Sequence, residues 1–175
     1  MDTTPERSRR ETKPMKILAI DPGSTESAYV LWDGATVLEK GFLPNQELAC
    51  LLGDNQAFVG AQLCIEMISH YGSGMPAGKS VFDTCIWIGR FTECWNGPDP
   101  DLILRPTIKT HLCGSARAKD QNVRQALIDR FGAPGVKAKP GVLYGVTSHC
   151  WAALAVAVCA HDRIAAGVME RSGPK

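Results

Sequence analysis

The feature that most constrains the fold of this chain is an uninterrupted apolar run that ends in an aspartate. Residues 16–25 read KILAIDPGST, so four consecutive apolar residues precede Asp21 and a Pro-Gly turn. Because no polar residues alternate with the apolar ones, the run predicts a central strand that is covered on both faces of its sheet. Asp21 is then placed where that strand ends.

Two β-prone segments follow, and a later strand carries a second carboxylate. Residues 27–43 are split by Asp33-Gly34, which is a strong hairpin signal, so the chain is predicted to open with three antiparallel strands. After a short helix in residues 45–54, the segment AQLCIEMI predicts a fourth strand that carries Glu66. Two buried carboxylates on neighbouring strands are costly unless a cation lies between them.

Strands and helices then alternate, which predicts an α/β fold. The predicted elements are a helix in 81–95, a short strand in 101–106 stopped by Pro106, a helix in 119–132, and a last helix that begins at a Thr147-Ser148 cap. Residues 1–14 are basic and lack apolar periodicity, so we expect a disordered tail there and one domain over residues 15–170.

Composition excludes several classes of protein. The net charge is +1, so no overall field indicates a nucleic acid, membrane or acidic partner. The seven cysteines include no C-x-x-C pair, which favours reduced thiols over disulfides or a zinc site. No apolar stretch reaches the ~18–20 residues needed to cross a bilayer, and we expect a soluble, cytoplasmic protein with no membrane partner.

Four segments together resemble a known family. ILAIDPGST, CIEMIS, RPTIKTHLCGSARAKDQNV and SHCWAALAVAV, in this order and spacing, resemble the RuvC-type Holliday-junction resolvases, a phage-like branch among them. The resemblance runs from Lys16 to about Asp162. It implies a ribonuclease H-like mixed five-stranded sheet, three antiparallel strands followed by parallel ones, flanked by helices. It also implies a nuclease that uses two Mg²⁺ ions, which Mn²⁺ can replace.

The resemblance assigns roles to five residues. Asp21 and Glu66 match the first two metal ligands of the family, and His149 matches a position that the family fills with His or Asp. Near a helix N-terminus the dipole favours a neutral imidazole, whose lone pair can bind a metal or a water. Lys109 and Lys119 match the two basic catalytic residues, which would steer the scissile phosphate.

One position departs from the family pattern. A carboxylate is expected three residues after His149, but Ala152 stands there. Asp162 would lie about 20 Å further along a straight helix and is a poor substitute; Glu26 and Asp83 are possible replacement ligands. Three explanations stay open: another ligand, water in its place, or an inactivating substitution.

Residues that could bind DNA fall in two regions. Residues 105–139 contain eight basic side chains against Asp120 and Asp129, and basic clusters neutralise phosphates without reading sequence. For Arg124 and Arg130 a solvated helix face is the preferred explanation. The glycine-rich loop after Glu66 could stack an aromatic ring on a base at the junction centre. The DNA-binding candidates are His70, Tyr71, Lys79, Arg105, Arg117 and Arg124.

The helix predicted in residues 81–95 is apolar on two sides. Phe82, Cys85, Ile86 and Gly89 share one face, and Trp87, Phe91 and Trp95 share another. One face can cover the sheet and the second needs a partner, which a twofold homodimer would supply. Such a dimer would place one active site on each of two opposed DNA strands.

These inferences predict a homodimeric, Mg²⁺-dependent endonuclease that resolves four-way DNA junctions. Three alternatives stay open: a nuclease of broader range on flaps and forks, a junction-binding protein that has lost catalysis, and a phosphate-loop ATPase, which the short chain disfavours. The cleavage preference and any branch-migration motor are not predicted.

Overall fold

A computed structural model of the protein describes residues 15–54, 56–69 and 77–167. The strands are β1 (Lys16–Asp21), β2 (Glu26–Trp32), β3 (Val37–Pro44), β4 (Ala61–Met67), β5 (Asp101–Leu104), and a small ribbon of β6 (Gly135–Val136) and β7 (Lys139–Pro140). The helices are α1 (Asn45–Gly53), α2 (Lys79–Cys94), α3 (Arg105–Cys113), α4 (Asp120–Phe131) and α5 (Cys150–Ala165). None of the helices within these ranges is long and apolar enough to span a membrane.

The main sheet has five strands in the order β3-β2-β1-β4-β5. Strands β1, β2 and β3 pair antiparallel, whereas β4 runs parallel to β1 and β5 runs parallel to β4. The predicted α/β class, with a mixed five-stranded sheet flanked by helices, is confirmed. Gly34 has a φ of +97° in the hairpin between β2 and β3, a backbone conformation in which glycine avoids the steric cost of a side chain.

Strand β1 is covered on both faces, as its apolar run predicts. Ile17 and Ala19 pack in one buried cluster with α5, and Leu18 and Ile20 pack in a second cluster with α1 and α2. Helix α5 covers the first face with ten buried residues, most of them alanine or valine. Small side chains let a helix approach a sheet closely, so α5 is held tightly against the strands that carry the carboxylates.

Two helix starts differ from the sequence-based expectation. Pro106 does end β5, but it also lies in the first turn of α3, a helix that the sequence analysis missed. Proline fits that turn because its missing N–H has no helical partner there. Helix α5 begins at Cys150 with His149 as its N-cap, and no side chain caps it by a hydrogen bond, so the predicted Thr147-Ser148 cap is wrong.

A buried polar network fixes the turn after β1. The Ser27 hydroxyl donates to Asn45 Oδ1 at 2.6 Å and accepts from the Gly23 N–H at 3.1 Å. Asn45 Nδ2 donates to the Gly23 carbonyl at 2.9 Å. Ser27 and Asn45 are both buried, so each of these bonds replaces hydration that burial removes. The network ties the turn that follows Asp21 to the first residue of α1.

We expect Asn45→Ala to destabilise the fold, because it leaves the buried Ser27 hydroxyl and the Gly23 carbonyl without their partner. The free energy of unfolding should fall by about 1–3 kcal/mol in urea denaturation. Gln46→Ala, at an exposed neighbouring position on α1, is the matched control. Equal effects of the two substitutions would contradict the proposed importance of the network.

Candidate active site

A cavity of about 690 Å³ opens at the carboxyl end of β1 and β4. Its walls come from the turn after β1, from β3, and from α3, α4 and the start of α5. The charged and imidazole side chains that line it are Asp21, Glu26, Glu66, Arg105, Lys109, Asp120, Arg124 and His149. Carboxylates and cations from five elements, β1, β2, β4, α3 and α4, therefore meet in one place, beside the imidazole at the start of α5.

Asp21 and Glu66 form the acidic centre of the cavity. Each lies one residue beyond the paired Ile20 and Ile65 on adjacent parallel strands. Burial, and after it the charge of Glu66, raise the pKa of Asp21 to about 6 against the lowering effect of Arg105 and His149. Burial also raises the pKa of Glu66, against the lowering effect of Arg105. The pair is thus an electrostatically unfavourable arrangement that a cation would relieve.

His149 lies beside Asp21 at the N-terminus of α5. Its Nδ1 is 3.6 Å from Asp21 Oδ2. The ring stacks on Phe42 of β3, with 5.1 Å between centroids and 13° between planes. Ser148, directly before it, has a φ of +45°, an unusual conformation for a residue other than glycine. The backbone and the Phe42 ring therefore both set the direction of the imidazole.

Arg105 connects Glu66 to Asp120 at the other side of the cavity. Its Nη1 donates to Glu66 Oε1 at 2.5 Å and its Nη2 donates to Asp120 Oδ1 at 2.7 Å. Lys109 Nζ lies 3.4 Å from the same Asp120 oxygen. Arg105 and Lys109 lie four residues apart on α3, so the helix presents both cations to the cavity.

Comparison with known proteins shows the fold. No family model and no curated protein matches the sequence. Among solved structures, Thermus thermophilus RuvC matches with a TM-score of 0.64 and 17% identity, over 92% of this chain and 100% of that one. T. thermophilus RuvC in complex with a Holliday junction substrate matches with a TM-score of 0.61 and 16% identity, over 92% and 99% of the two chains.

This chain has the RuvC fold. The three antiparallel strands, the two parallel strands and the flanking helices all belong to it, and the match covers nearly the whole chain. The fold that the four sequence segments implied is therefore confirmed.

The RuvC fold brings together some of the predicted site residues. The cavity walls include Asp21, Glu66, Lys109, His149 and two DNA-binding candidates, Arg105 and Arg124. Arg124 stacks its guanidinium on the Trp151 ring, 4.9 Å from the centroid, so it is not simply a solvated residue.

Other candidates lie away from the cavity walls. Lys119 is the N-cap of α4, where its N–H donates to Asn122 Oδ1 at 3.0 Å. Arg117 is exposed in the preceding turn. Lys79 begins α2 and pairs with Asp83 at 2.5 Å. His70 and Tyr71 lie outside the residues that the structure describes.

The carboxylates considered as replacement ligands lie in different parts of this RuvC fold. Glu26 lines the cavity, whereas Asp83 is engaged by Lys79 on α2. Asp162 is held by both guanidinium nitrogens of Arg130 and by His111 Nε2. Arg130 thus joins α4 to α5 and is not a free surface cation. Ala152 does line the cavity, so the position expected to carry a carboxylate faces the site without one.

Sequence reasoning missed two residues of the site. Asp120 was counted only as a charge that offsets the basic segment, and Phe42 was not considered. Both reach the cavity through tertiary packing, from α4 and β3. The Asp at the start of an amphipathic helix was the one available signal for Asp120, and it is equally typical of a residue that only stabilises the helix dipole.

The donor set fits a divalent metal in part. Mg²⁺ prefers oxygen ligands and often uses one or two carboxylates with several waters, which Asp21 and Glu66 can supply. Within the described ranges, no three His, Cys, Asp or Glu side chains are arranged to hold a metal. The acidic pair is therefore the feature that favours a cation, and the remaining positions would be filled by water.

We expect Asp21→Asn to stabilise the metal-free protein at neutral pH. The pKa of Asp21 rises from 3.8 to about 6 on folding, so the folded state binds the proton more tightly than the unfolded state does. Stability is then lost as the pH rises from about 4 to 6, and the penalty persists above that range. The variant should gain about 1–3 kcal/mol at pH 7.5 in urea denaturation with EDTA.

The gain should nearly vanish at about pH 4, where Asp21 of the folded protein is already protonated. Asp129→Asn, at an exposed position on α4, is the control and should change little at either pH. A gain that is equal at both pH values would contradict the assignment to Asp21 ionisation.

Proposed function

We propose that this protein is a Mg²⁺-dependent endonuclease that resolves four-way DNA junctions by paired, symmetrical phosphodiester hydrolysis. The observation that carries the proposal is the cavity in which Asp21 and Glu66 lie beside His149, Arg105 and Lys109 on a RuvC fold. One of the similar structures contains a Holliday junction substrate, which supports branched DNA as the partner of this chain too.

Asp21 and Glu66 are the residues that would hold the metal, with His149 beside Asp21 as a candidate third ligand. Bound Mg²⁺, or Mn²⁺ in its place, would lower the pKa of a coordinated water and stabilise charge on the phosphate, and two ions would share these tasks. The chain contributes the carboxylates of Asp21 and Glu66. Because both are desolvated, each attracts a cation more strongly than an exposed carboxylate would.

The other cavity residues suit the phosphate. Lys109 is mostly buried and, with Arg105, can offset the charge that develops on the phosphoryl oxygens. Arg124 on α4 can contact the sugar-phosphate backbone of the DNA beside the scissile bond. His149 adds a nitrogen donor to this side of the cavity, with its Nδ1 3.6 Å from Asp21 Oδ2. The reaction consumes one water: its oxygen bonds to phosphorus, the bond between phosphorus and the 3′ oxygen breaks, and a proton from the water ends on that 3′ oxygen. The products are 5′-phosphate and 3′-hydroxyl ends.

A homodimer belongs to this proposal. On α2, Phe82 and Ile86 are 58% and 55% exposed on one face, while Ile88 and Phe91 are buried against the sheet. Two large apolar side chains one turn apart, with Gly89 beside them, form a surface that a second copy can cover. A twofold axis there would give two cavities for two opposed DNA strands.

Ala152 favours a second candidate function, that of a junction-binding protein without catalysis. The position lines the cavity but supplies no ligand. A nuclease acting more broadly on flaps and forks would use the same cavity and differ only in the geometry of the substrate. Both alternatives are decided by measuring cleavage and binding on the same set of DNAs.

We expect the protein to cut a synthetic four-way junction at paired symmetrical positions in Mg²⁺, with each strand end-labelled in turn. Asp21→Asn should reduce the rate by more than about 100-fold, which exceeds the usual cost of removing an outer-shell partner of a metal. Asp129→Asn is the control. Linear duplex and a flap are incubated under the same conditions, and their cleavage rates are compared with that of the junction to measure selectivity.

Equal cutting of flap and junction would favour the broader nuclease. Tight junction binding without cutting would favour the binding protein, and Ala152→Asp would then be tested. Restored cleavage would identify position 152 as the cause, and continued absence of cleavage would contradict the nuclease proposal.

We expect Ile86→Lys to convert a dimer to a monomer in analytical ultracentrifugation, because it places a charge in the apolar surface of α2. Paired cutting of the two strands should become independent nicking. Val59→Lys, at another exposed apolar position that is 57% accessible, is the matched control. A wild-type protein that sediments as a monomer on DNA would contradict the dimer.

A further inference from the structure

Arg105 bridges two carboxylates that differ greatly in exposure. The Glu66 side chain, at the floor of the cavity, is 11% exposed, and that of Asp120, at the rim, is 74% exposed. The guanidinium uses a different nitrogen for each, Nη1 for Glu66 and Nη2 for Asp120. Each contact can therefore exist without the other.

The contact with Glu66 conflicts with the metal of the proposed function. Nη1 lies 2.5 Å from Glu66 Oε1, so the guanidinium already neutralises this carboxylate and occupies one of its two oxygens. A metal ion and a guanidinium on the same carboxylate also repel each other, and they do so strongly where the surroundings are desolvated. Metal binding at Glu66 must therefore weaken or displace this contact.

Asp120 can keep Arg105 in an ion pair after Arg105 separates from Glu66. Nη2 is already 2.7 Å from Asp120 Oδ1, so the guanidinium can keep one charged partner when it releases the other. Lys109 reaches the same Asp120 oxygen at 3.4 Å, which keeps both cations of α3 at the rim of the cavity. The cost of separating Arg105 from Glu66 is reduced accordingly.

We propose that Arg105 is an exchangeable counter-ion of Glu66. It neutralises this carboxylate while the metal is absent, competes with the metal for it, and is retained by Asp120 when the metal binds. The inference rests on the proposed function. It makes Arg105 a positioning residue that sets the metal affinity, and it makes Asp120 a residue that acts through Arg105.

The test is the affinity of the DNA-free full chain for Mn²⁺, measured by isothermal titration calorimetry at about pH 8. Removing a competitor should tighten binding, so Arg105→Gln should bind Mn²⁺ about tenfold more tightly than the wild type, a typical coupling between sites. Arg124→Gln is the matched control, because Arg124 lines the same cavity but stacks on Trp151. The change in Mn²⁺ affinity caused by Arg124→Gln should be smaller, and it measures how much any nearby positive charge weakens Mn²⁺ binding.

A double-mutant cycle tests the role of Asp120. Asp120→Asn should weaken Mn²⁺ binding in the wild-type background, because Arg105 then has only Glu66 as its partner. The effect should disappear in the Arg105→Gln background. A weakening of the same size in both backgrounds would show that Asp120 acts on the metal directly and would overturn its proposed role.

The outcomes separate this inference from the proposed function. Unchanged or weaker Mn²⁺ binding by Arg105→Gln, with wild-type binding that Asp21→Asn abolishes, would overturn the exchange and leave the metal centre standing. Absence of Mn²⁺ binding in both the wild type and Arg105→Gln would overturn both. If Arg105→Gln fails to fold, Arg105→Met replaces it, since methionine keeps much of the apolar side chain but removes the charge, and tighter binding is again expected.

Discussion

The structure depends on the parallel pairing of β1 with β4, which sets two carboxylates side by side at one edge of the sheet. Desolvation and mutual repulsion make this pair unfavourable, as the raised pKa values of Asp21 and Glu66 show. Other parts of the cavity offset the unfavourable energy of this pair: α3 contributes cations, and α5 contributes its positive N-terminal end. A fold selected only for stability would not place these groups together, so the arrangement points to a ligand.

Much of the fold could be predicted because the decisive signals are local. The apolar run before Asp21 and the Asp33-Gly34 turn each fix an element within a few residues, and both carboxylates follow from their strands. Helix α3 was missed because proline is tolerated in a first turn as well as at the end of a strand. Asp120 and Phe42 could not be predicted, because their place in the site depends on how α4 and β3 pack.

The close match in fold at 17% identity has a simple physical basis. The sheet requires apolar side chains on both faces of its central strands, and many combinations of residues satisfy this. The site is more exacting, since each charge must be compensated by a particular neighbour. Position 152, where the sequence resemblance leads us to expect a carboxylate, carries alanine, and the cavity holds Asp120 with two cations beside it.

The position of α5 in the chain affects how the protein is made. Ten of its residues cover a face of the sheet whose strands are synthesised first. A nascent chain must therefore keep Ile17, Ala19 and Val30 uncovered by α5 until residues beyond 150 leave the ribosome, and exposed apolar surface of this kind favours aggregation. His149 arrives with the same helix, so the cavity is complete only after α5 has been made and has packed on the sheet.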